Sequence, residues 1–277
     1  MGAPKVLMEG VAFGESPRWH DGRLWFSDWG ANQVIALSTD GTHEVVVSVP
    51  SFPMCIDFLP DGQLLIVDSA QRRLLRRDPD GSLVQHADLS GVSENPWNDI
   101  VVDERGNAYV NNIGFDFPGG EFAPGLVVLV TPDGTVRRVV GDVAFPNGMA
   151  ITPDGGTLIV AESYASRLTA FDIGRDGALG NRRVWAETPG DHPDGICMDA
   201  EDAVWYADVG NRHCVRVREG GEVLATFDLD RGGFACALSC GTDPHLFVVG
   251  QNWGRPESEP SGQVVSFPAP APGAGRP

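Results

Sequence analysis

Asp-Gly pairs punctuate this chain, at Asp21-Gly22, Asp40-Gly41, Asp61-Gly62, Asp80-Gly81, Asp133-Gly134, Asp154-Gly155 and Asp176-Gly177. Several lie about 20 residues apart, each flanked by short runs of Val, Ile, Leu and aromatic residues. Asp-Gly supplies the positive backbone φ of a tight hairpin, so each pair predicts strand, turn, strand. No stretch carries a sustained helical period. The chain reads as all-β.

A longer repeat sits on top of the turns. Arg23-Leu24-Trp25-Phe26-Ser27-Asp28 and Gln63-Leu64-Leu65-Ile66-Val67-Asp68 each follow a turn, and Asn107–Asn111, Thr157–Glu162, Ala203–Asp208 and His245–Val249 continue the series. Six copies at intervals of roughly 40 to 50 residues match the period of a four-stranded propeller blade. A helical solenoid shares that period but needs helices. The expected architecture is therefore a six-bladed β-propeller, four-stranded antiparallel blades around a central channel, forming one domain over residues 1–267. Lys5–Val11 and Gln263–Phe267 are expected to share the closing blade, which removes exposed edges. The Pro/Gly/Ala-rich tail, 268–277, is expected to be disordered.

Composition narrows the function. The 277 residues are 42% hydrophobic, enough for a core, yet no run approaches the roughly 20 apolar residues of a membrane-spanning helix. A net charge of -18 excludes nucleic acid and disfavours anionic membranes, since both need clustered Lys and Arg. Five cysteines without paired spacing read as small buried hydrophobes. The first residues lack the apolar stretch of a secretory signal, so a cytoplasmic protein is expected, a monomer or homodimer whose partner is a small-molecule substrate. Neither a G-x-S-x-G nucleophile elbow nor HExxH nor a phosphate-binding glycine loop is present.

The inner strand of each blade borders the channel. Counting seven or eight residues back from each turn reaches Glu15, Met54 or Cys55, Asn98, Asn147, Asp194 and about Ala235. Two carboxylates and two amide oxygens at one level make a hard-oxygen cluster, suited to one divalent cation, Ca²⁺ above all, with Mg²⁺, Mn²⁺ or Zn²⁺ as alternatives. Read singly, Asn147-Gly148 and Asp194-Gly195 look like further hairpins and Asn98-Asp99 like an Asx turn. Their register argues for the axis, because each pair falls where an inner strand begins.

These same segments carry a family resemblance. Gly14-Glu15-Ser16-Pro17-Arg18-Trp19, Asn98-Asp99, Phe145-Pro146-Asn147-Gly148 and Pro193-Asp194-Gly195-Ile196 resemble the signature segments of the SMP-30/gluconolactonase/LRE (regucalcin-like) family, and the similarity runs from about Glu9 to Phe267. The resemblance implies a six-bladed propeller with one catalytic divalent metal that hydrolyses lactones. It implies metal ligands at Glu15, Asn147 and Asp194, with Asn98 at the metal directly or through water, Asp99 beside it, and a base role for Asp194. Sugar-lactonase members place an Arg two residues before the Asn-Asp pair; here that residue is Pro96. With Met54, Trp97, Phe115, Phe117, Tyr164, Phe234 and Trp253 as candidates for the mouth, a substrate less polar than a sugar lactone is expected. Phe145 is expected to pack between blades. His192 is a candidate at the substrate and as a proton shuttle, against the plainer reading of a loop histidine.

Two routes fit this set: water acidified by the cation with Asp194 as base, or direct attack by Asp194 to form an acyl intermediate. A phosphotriesterase-like or biosynthetic enzyme on the same metal site, and a calcium-binding scaffold without catalysis, are the competing readings.

Overall fold

The computed structural model of the chain describes residues 4–254 and 260–275; positions 1–3, 255–259 and 276–277 lie outside the described residues. Six four-stranded antiparallel sheets form the blades of a six-bladed propeller. Blade 1 comprises Gly14–His20, Arg23–Asp28, Gln33–Leu37 and His43–Ser48, counted from the axis outward. Blade 2 is Met54–Phe58, Leu64–Asp68, Arg73–Arg77 and Leu83–Asp88, and blade 3 is Trp97–Val102, Ala108–Asn112, Gly125–Val130 and Val136–Val143. Blade 4 is Pro146–Ile151, Thr157–Glu162, Arg167–Ile173 and Leu179–Glu187, and blade 5 is Ile196–Met198, Ala203–Asp208, His213–Arg218 and Val223–Asp228. Blade 6 takes Gly232–Leu238, His245–Gln251 and Gly262–Pro268 from the end of the chain. Its outer strand is Lys5–Val11, with Lys5 opposite Ser266 and Val11 opposite Gly262. The ring is thus closed by hydrogen bonds between the two ends of the chain. Among the described residues the helical segment is one 3₁₀ turn, Ser163–Ala165, and no helix is long and apolar enough to cross a membrane.

The Asp-Gly pairs do what their chemistry requires. Each joins the first to the second strand of a blade or the third to the fourth, and the seven glycines have φ between 70° and 92°. Those connections share one face of the ring, here the lower face. The second-to-third and blade-to-blade loops therefore share the upper face. Inner and second strands are buried on both sides, and outer strands such as His43–Ser48 alternate with solvent. The apolar faces meet between neighbouring blades: Met54, Ile66 and Trp97 lie in one cluster, fully shielded from water. Each such side chain contributes roughly 1.5–3 kcal/mol of burial.

A polar device repeats beneath the upper loops. The residue ending the second strand is Asp28, Asp68, Asn112, Glu162, Asp208 and Gln251 in blades 1 to 6. Asp28, Asp68 and Asp208 accept the N–H three residues on, from Ala31, Gln71 and Asn211, which closes the turn into the third strand. The same side chains grip the chain about to enter the inner strand. Asp28 accepts from Ala12 and Phe13 at 2.9 Å, Glu162 from Ala144 and Asp208 from His192 at 2.7 Å. In blades 1, 4 and 5 these acids hold the start of the inner strand.

The tail departs from expectation. Rather than lying disordered, residues up to Gly275 are bound across the lower face: Ala269 N–H donates to Pro244 O, Gly273 N–H to Ser239 O and Ala274 N–H to Met198 O. Ala271 is buried and Gly273 pairs with Asp199 in an isolated bridge. A Pro/Gly/Ala segment has too little apolar surface to fold alone, but here the lower rim of blades 5 and 6 supplies the partners.

Replacing Asp28 with Ala strands the Ala12, Phe13 and Ala31 N–H groups together. A loss of about 2–4 kcal/mol is expected, read as a lower urea midpoint at unchanged m-value, with Asp28→Asn intermediate.

Candidate metal centre

The inner strands are irregular where the polar candidates lie. Pairing with the second strand slips between Glu15 and Arg18, between Trp97 and Ile100, and between Pro146 and Met149. A bulge of this kind bends the strand and re-aims side chains. Blade 2 pairs without interruption from Met54 to Phe58; its inward carboxylate, Asp57, faces Arg18, and at the cavity it presents Cys55. In blade 5 the paired strand starts only at Ile196, and Asp194 stands just before it, its N–H on Ala207 O at 2.9 Å. Ser16 and Phe145, each beside or near a candidate ligand, hold φ of 51° and 56°, a costly conformation for residues with a side chain.

Asn147-Gly148 and Asp194-Gly195 are not hairpins. Neither glycine has positive φ. A Cβ at Gly148 would stand 2.7 Å from Asp194 O, and one at Gly195 would collide with Ala235. Gly148 N–H donates to Asp194 O, and Gly195 N–H to Phe234 O. The glycines allow blades 4, 5 and 6 to meet backbone to backbone at the axis, which brings the preceding Asn147 and Asp194 into one ring.

Around the upper channel Glu15, Asn98, Asp99, Asn147, Cys55 and Cys236 border one small cavity. Asn98 Nδ2 lies 3.3 Å from Asn147 Oδ1, and the Asn147 amide also hydrogen-bonds Asp194. Asn111 buttresses the pair: its Nδ2 donates to Asn147 O at 2.6 Å and its Oδ1 accepts from Asp99 N–H. Glu15, Asp57, Asp99 and Asp194 crowd this level, and the cation among them is Arg18. Arg18 is committed: it donates to Asp99 Oδ1 at 3.0 Å and Ile100 O at 2.6 Å, and stands 3.7 Å from Asp57 Oδ1. The other Asp99 oxygen accepts Met149 N–H at 2.7 Å. Asp99, expected among the catalytic residues, is thereby occupied on both oxygens and holds blades 1, 3 and 4 in register.

Glu15 and Asp194 lack such compensation. Burial pushes the Glu15 carboxyl up to about 8, with Asp99 adding to the shift, while Ser16 N–H and Arg18 offset part of it. Burial likewise lifts Asp194 well above the ordinary carboxylate range, reinforced by Glu15, Asp208 and Asp99. Two carboxylates and two amide oxygens converging without a spare cation fit a hard divalent ion. The thiols do not compete. Cys55 is kept protonated by burial, and Cys236 Sγ turns back between blades toward Gly195 O and Trp205 O at 3.6 and 3.5 Å.

The expected mouth residues divide. Met54 and Trp97 are fully buried between blades 2 and 3, not at the mouth. Side chains alternate along a strand, so facing Asn98 and Cys55 to the axis sends their neighbours into the core. Phe115, Phe117, Tyr164 and Trp253 do lie in the upper loops, and Phe234 near the start of blade 6's inner strand. Phe115 and Phe234 are nearly covered, whereas Tyr164 is 52% and Trp253 58% exposed. Phe145, expected as packing, is buried against Phe115 and Phe117. His192 is exposed on the loop before Asp194, and its Nδ1 meets Ser163 O at 2.9 Å, which fixes the ring. The sequence reading did not single out Phe13, Trp29, Phe52 and Phe122, which complete the aromatic surface.

A second group able to hold a metal is Asp191, Asp208 and His213, on the outer side of the same loop. Tyr206 Oη, Asn211 Nδ2 and His213 Nε2 already surround Asp191, and His192 and Asn211 N–H groups occupy Asp208. Its clear effect is to anchor the loop that presents Asp194.

Known proteins share this design. The family model described as the SMP-30/Gluconolactonase/LRE-like region matches residues 13–251. The chain is 30% identical over 173 residues to diisopropyl-fluorophosphatase of Loligo vulgaris, a stretch covering 55% of this chain and 54% of that one. It is 26% identical over 235 residues to a pentonolactonase of Haloferax volcanii, covering 83% and 78%. Thus it spans about half of the first relative and most of the second. The solved structure of a calcium-binding protein, regucalcin, from Agrobacterium tumefaciens matches with a TM-score of 0.83 at 23% identity, over 99% of this chain and 95% of that one. At that identity the match shows the fold.

The uncompensated Glu15 sets a pH signature. Its folded carboxyl titrates near 8 and the unfolded one near 4.5, so the folded state binds the extra proton between those values. Metal-free protein should lose stability as pH rises from 5 to 8. Thermal unfolding in EDTA at pH 5.5 and 8.5 checks this: Ca²⁺ should raise Tm more at the higher pH, and Glu15→Gln should flatten the pH dependence.

Proposed function

The chain belongs to the SMP-30/gluconolactonase/LRE-like family, and from that premise we propose that it is a divalent-metal-dependent hydrolase that opens a lactone or related ester less polar than a sugar lactone. The observation that carries this reading is the meeting of Glu15, Asn98, Asn147 and Asp194 at one level of the channel, with two carboxylates left uncompensated. The pentonolactonase relative, by its name, supports the substrate class.

Glu15, Asn147 and Asp194 would hold the cation, Ca²⁺ by preference, with Asn98 reaching it directly or through water. When bound, it supplies Lewis-acid polarisation of the substrate carbonyl, worth several kcal/mol in the transition state. Asp194 takes the proton of the attacking water. Asn111 and Asp99 keep the Asn98 and Asn147 amides aimed inward, so Asp99 is a positioning residue. The position filled by Pro96 offers no cationic contact for sugar hydroxyls, and the aromatic loops above the channel favour an apolar substituent. The free cysteines suit a reducing cytoplasm.

A second reading has its own support. The diisopropyl-fluorophosphatase relative favours attack at phosphorus by the same residues.

Exhaustive chelation should abolish lactone hydrolysis, and one divalent ion, Ca²⁺ first, should restore it. Asp194→Ala should lower kcat/KM by about 10²–10⁴ with the fold intact by circular dichroism. A panel of lactones, aryl esters and phosphotriesters separates the two readings. Turnover that survives chelation would refute both.

A further inference from the structure

We propose that the upper mouth is an aryl-binding cleft, and that the substrate carries an aromatic ring close to its scissile carbonyl. The inference rests on the hydrolase reading and adds the part of the substrate that the metal centre does not touch. Its basis is where this chain leaves aromatic rings uncovered. Among the described residues, the exposed large aromatic side chains are Phe52, Phe122, Tyr164 and Trp253, 50–58% exposed. All four stand on the upper face, in two clusters. Of the exposed valines, Val6, Val45, Val184 and Val223 belong to outer strands, and Val92 stands on the loop that enters blade 3.

One cluster rises from blades 6, 1 and 2. Phe13 stacks on Trp29 with centroids 5.0 Å apart and meets Phe234 edge-on at 5.0 Å. Trp253 extends it beyond Phe234, and Phe52 beyond Trp29. The other rises from blades 3 and 4, where Tyr164 stacks on Phe145 at 4.7 Å and leads to Phe122 at 5.6 Å. Both are rooted at the metal level. Phe13 lies two residues before Glu15 and Phe145 two before Asn147, and Phe234 O accepts the Gly195 N–H. In ring order the clusters occupy opposite arcs, separated on one side by blade 5 with Asp194.

Covered rings at the root and bare rings at the rim form two platforms above the cavity, whose own lining carries no ring. A fully aliphatic or polyhydroxylated substrate would leave them wet. A planar ring gains stacking with either wall, while its carbonyl reaches down to Glu15 and Asp194. Isolated exposed side chains need no such explanation, but contiguous ones over a cavity do.

The test compares γ-phenyl-γ-butyrolactone with γ-methyl-γ-butyrolactone, which share the reacting ester. The phenyl compound should have kcat/KM at least about tenfold higher, and the ratio should fall by about tenfold in Trp253→Ala or Tyr164→Ala but not in the outer-strand control Val223→Ser. Binding of the corresponding phenyl and methyl lactams, by calorimetry on Ca²⁺-loaded protein, reads the cleft without chemistry. Hydrolysis of both lactones without a phenyl preference, or a preference indifferent to both variants, overturns the inference and leaves the hydrolase reading standing. Phenyl-lactam binding that depends on Trp253 or Tyr164, without turnover of any lactone, supports the cleft and sinks the hydrolase reading. A dimer lost in the same variants, with neither lactam bound, overturns the inference in favour of a second copy of the chain.

Discussion

Six inner strands converge on an axis too narrow for water to solvate what they point into it. Every oxygen placed there must find a partner in the ring or be neutralised from outside. Arg18 answers for Asp99 and Asp57, and its terminal nitrogens also donate to the Pro17 and Ile100 carbonyls. Even so, burial holds Asp57 up near 7. Glu15 and Asp194 stay charged only at a cost that Arg18 and the Asn147 amide offset in part. This imbalance links fold to chemistry: the same convergence that closes a propeller assembles the candidate cation site from residues 15 to 194, each on a different blade.

Two symmetries operate on different terms. Polar residues end the second strand of every blade, and in blades 1, 4 and 5 an acid there grips the chain entering the inner strand. The axis itself is not symmetric. Blades 1, 3, 4 and 5 contribute oxygen donors, while blade 2 presents Cys55 and blade 6 presents Ala235. Bulges accompany the donors at Glu15, Asn98 and Asn147, blade 6 bulges as well between Gly233 and Ala235 without bringing a donor, and blade 2 runs regular. A repetitive scaffold thus holds an asymmetric site.

This division explains what could be read from the chain alone. Asp-Gly fixes φ locally, so turns, blade count and the start of each inner strand were legible by counting. Closure by Lys5–Val11 followed from the need to cover an edge. Which face of a strand meets the axis was not, since a one-residue slip exchanges core for channel: Trp97 and Met54 look like mouth residues only until Asn98 and Cys55 are seen facing inward. Gly148 and Gly195 imitate turns because Asp-Gly and Asn-Gly have the same composition whether φ is positive or a neighbouring backbone approaches. Phe13, Phe52 and Phe122 escaped notice because their partners lie on other blades or across long loops, and the tail because its partners are 25 to 76 residues away.

Access follows from the same packing. Arg18 borders both the upper cavity and a lower one, and Gly273 and Ala274 of the tail line the lower one. A buried guanidinium tied to Asp99 and the Ile100 carbonyl cannot swing aside without stranding those groups, and the tail covers what lies beneath it. The lower route to Glu15 is closed by charge and by chain. Whatever reaches the carboxylates must come from above, between the aromatic loops. On the proposed reading, selectivity does not require a tailored contact to each atom of the substrate, because an entering molecule meets the rings at the rim before it meets the oxygen donors.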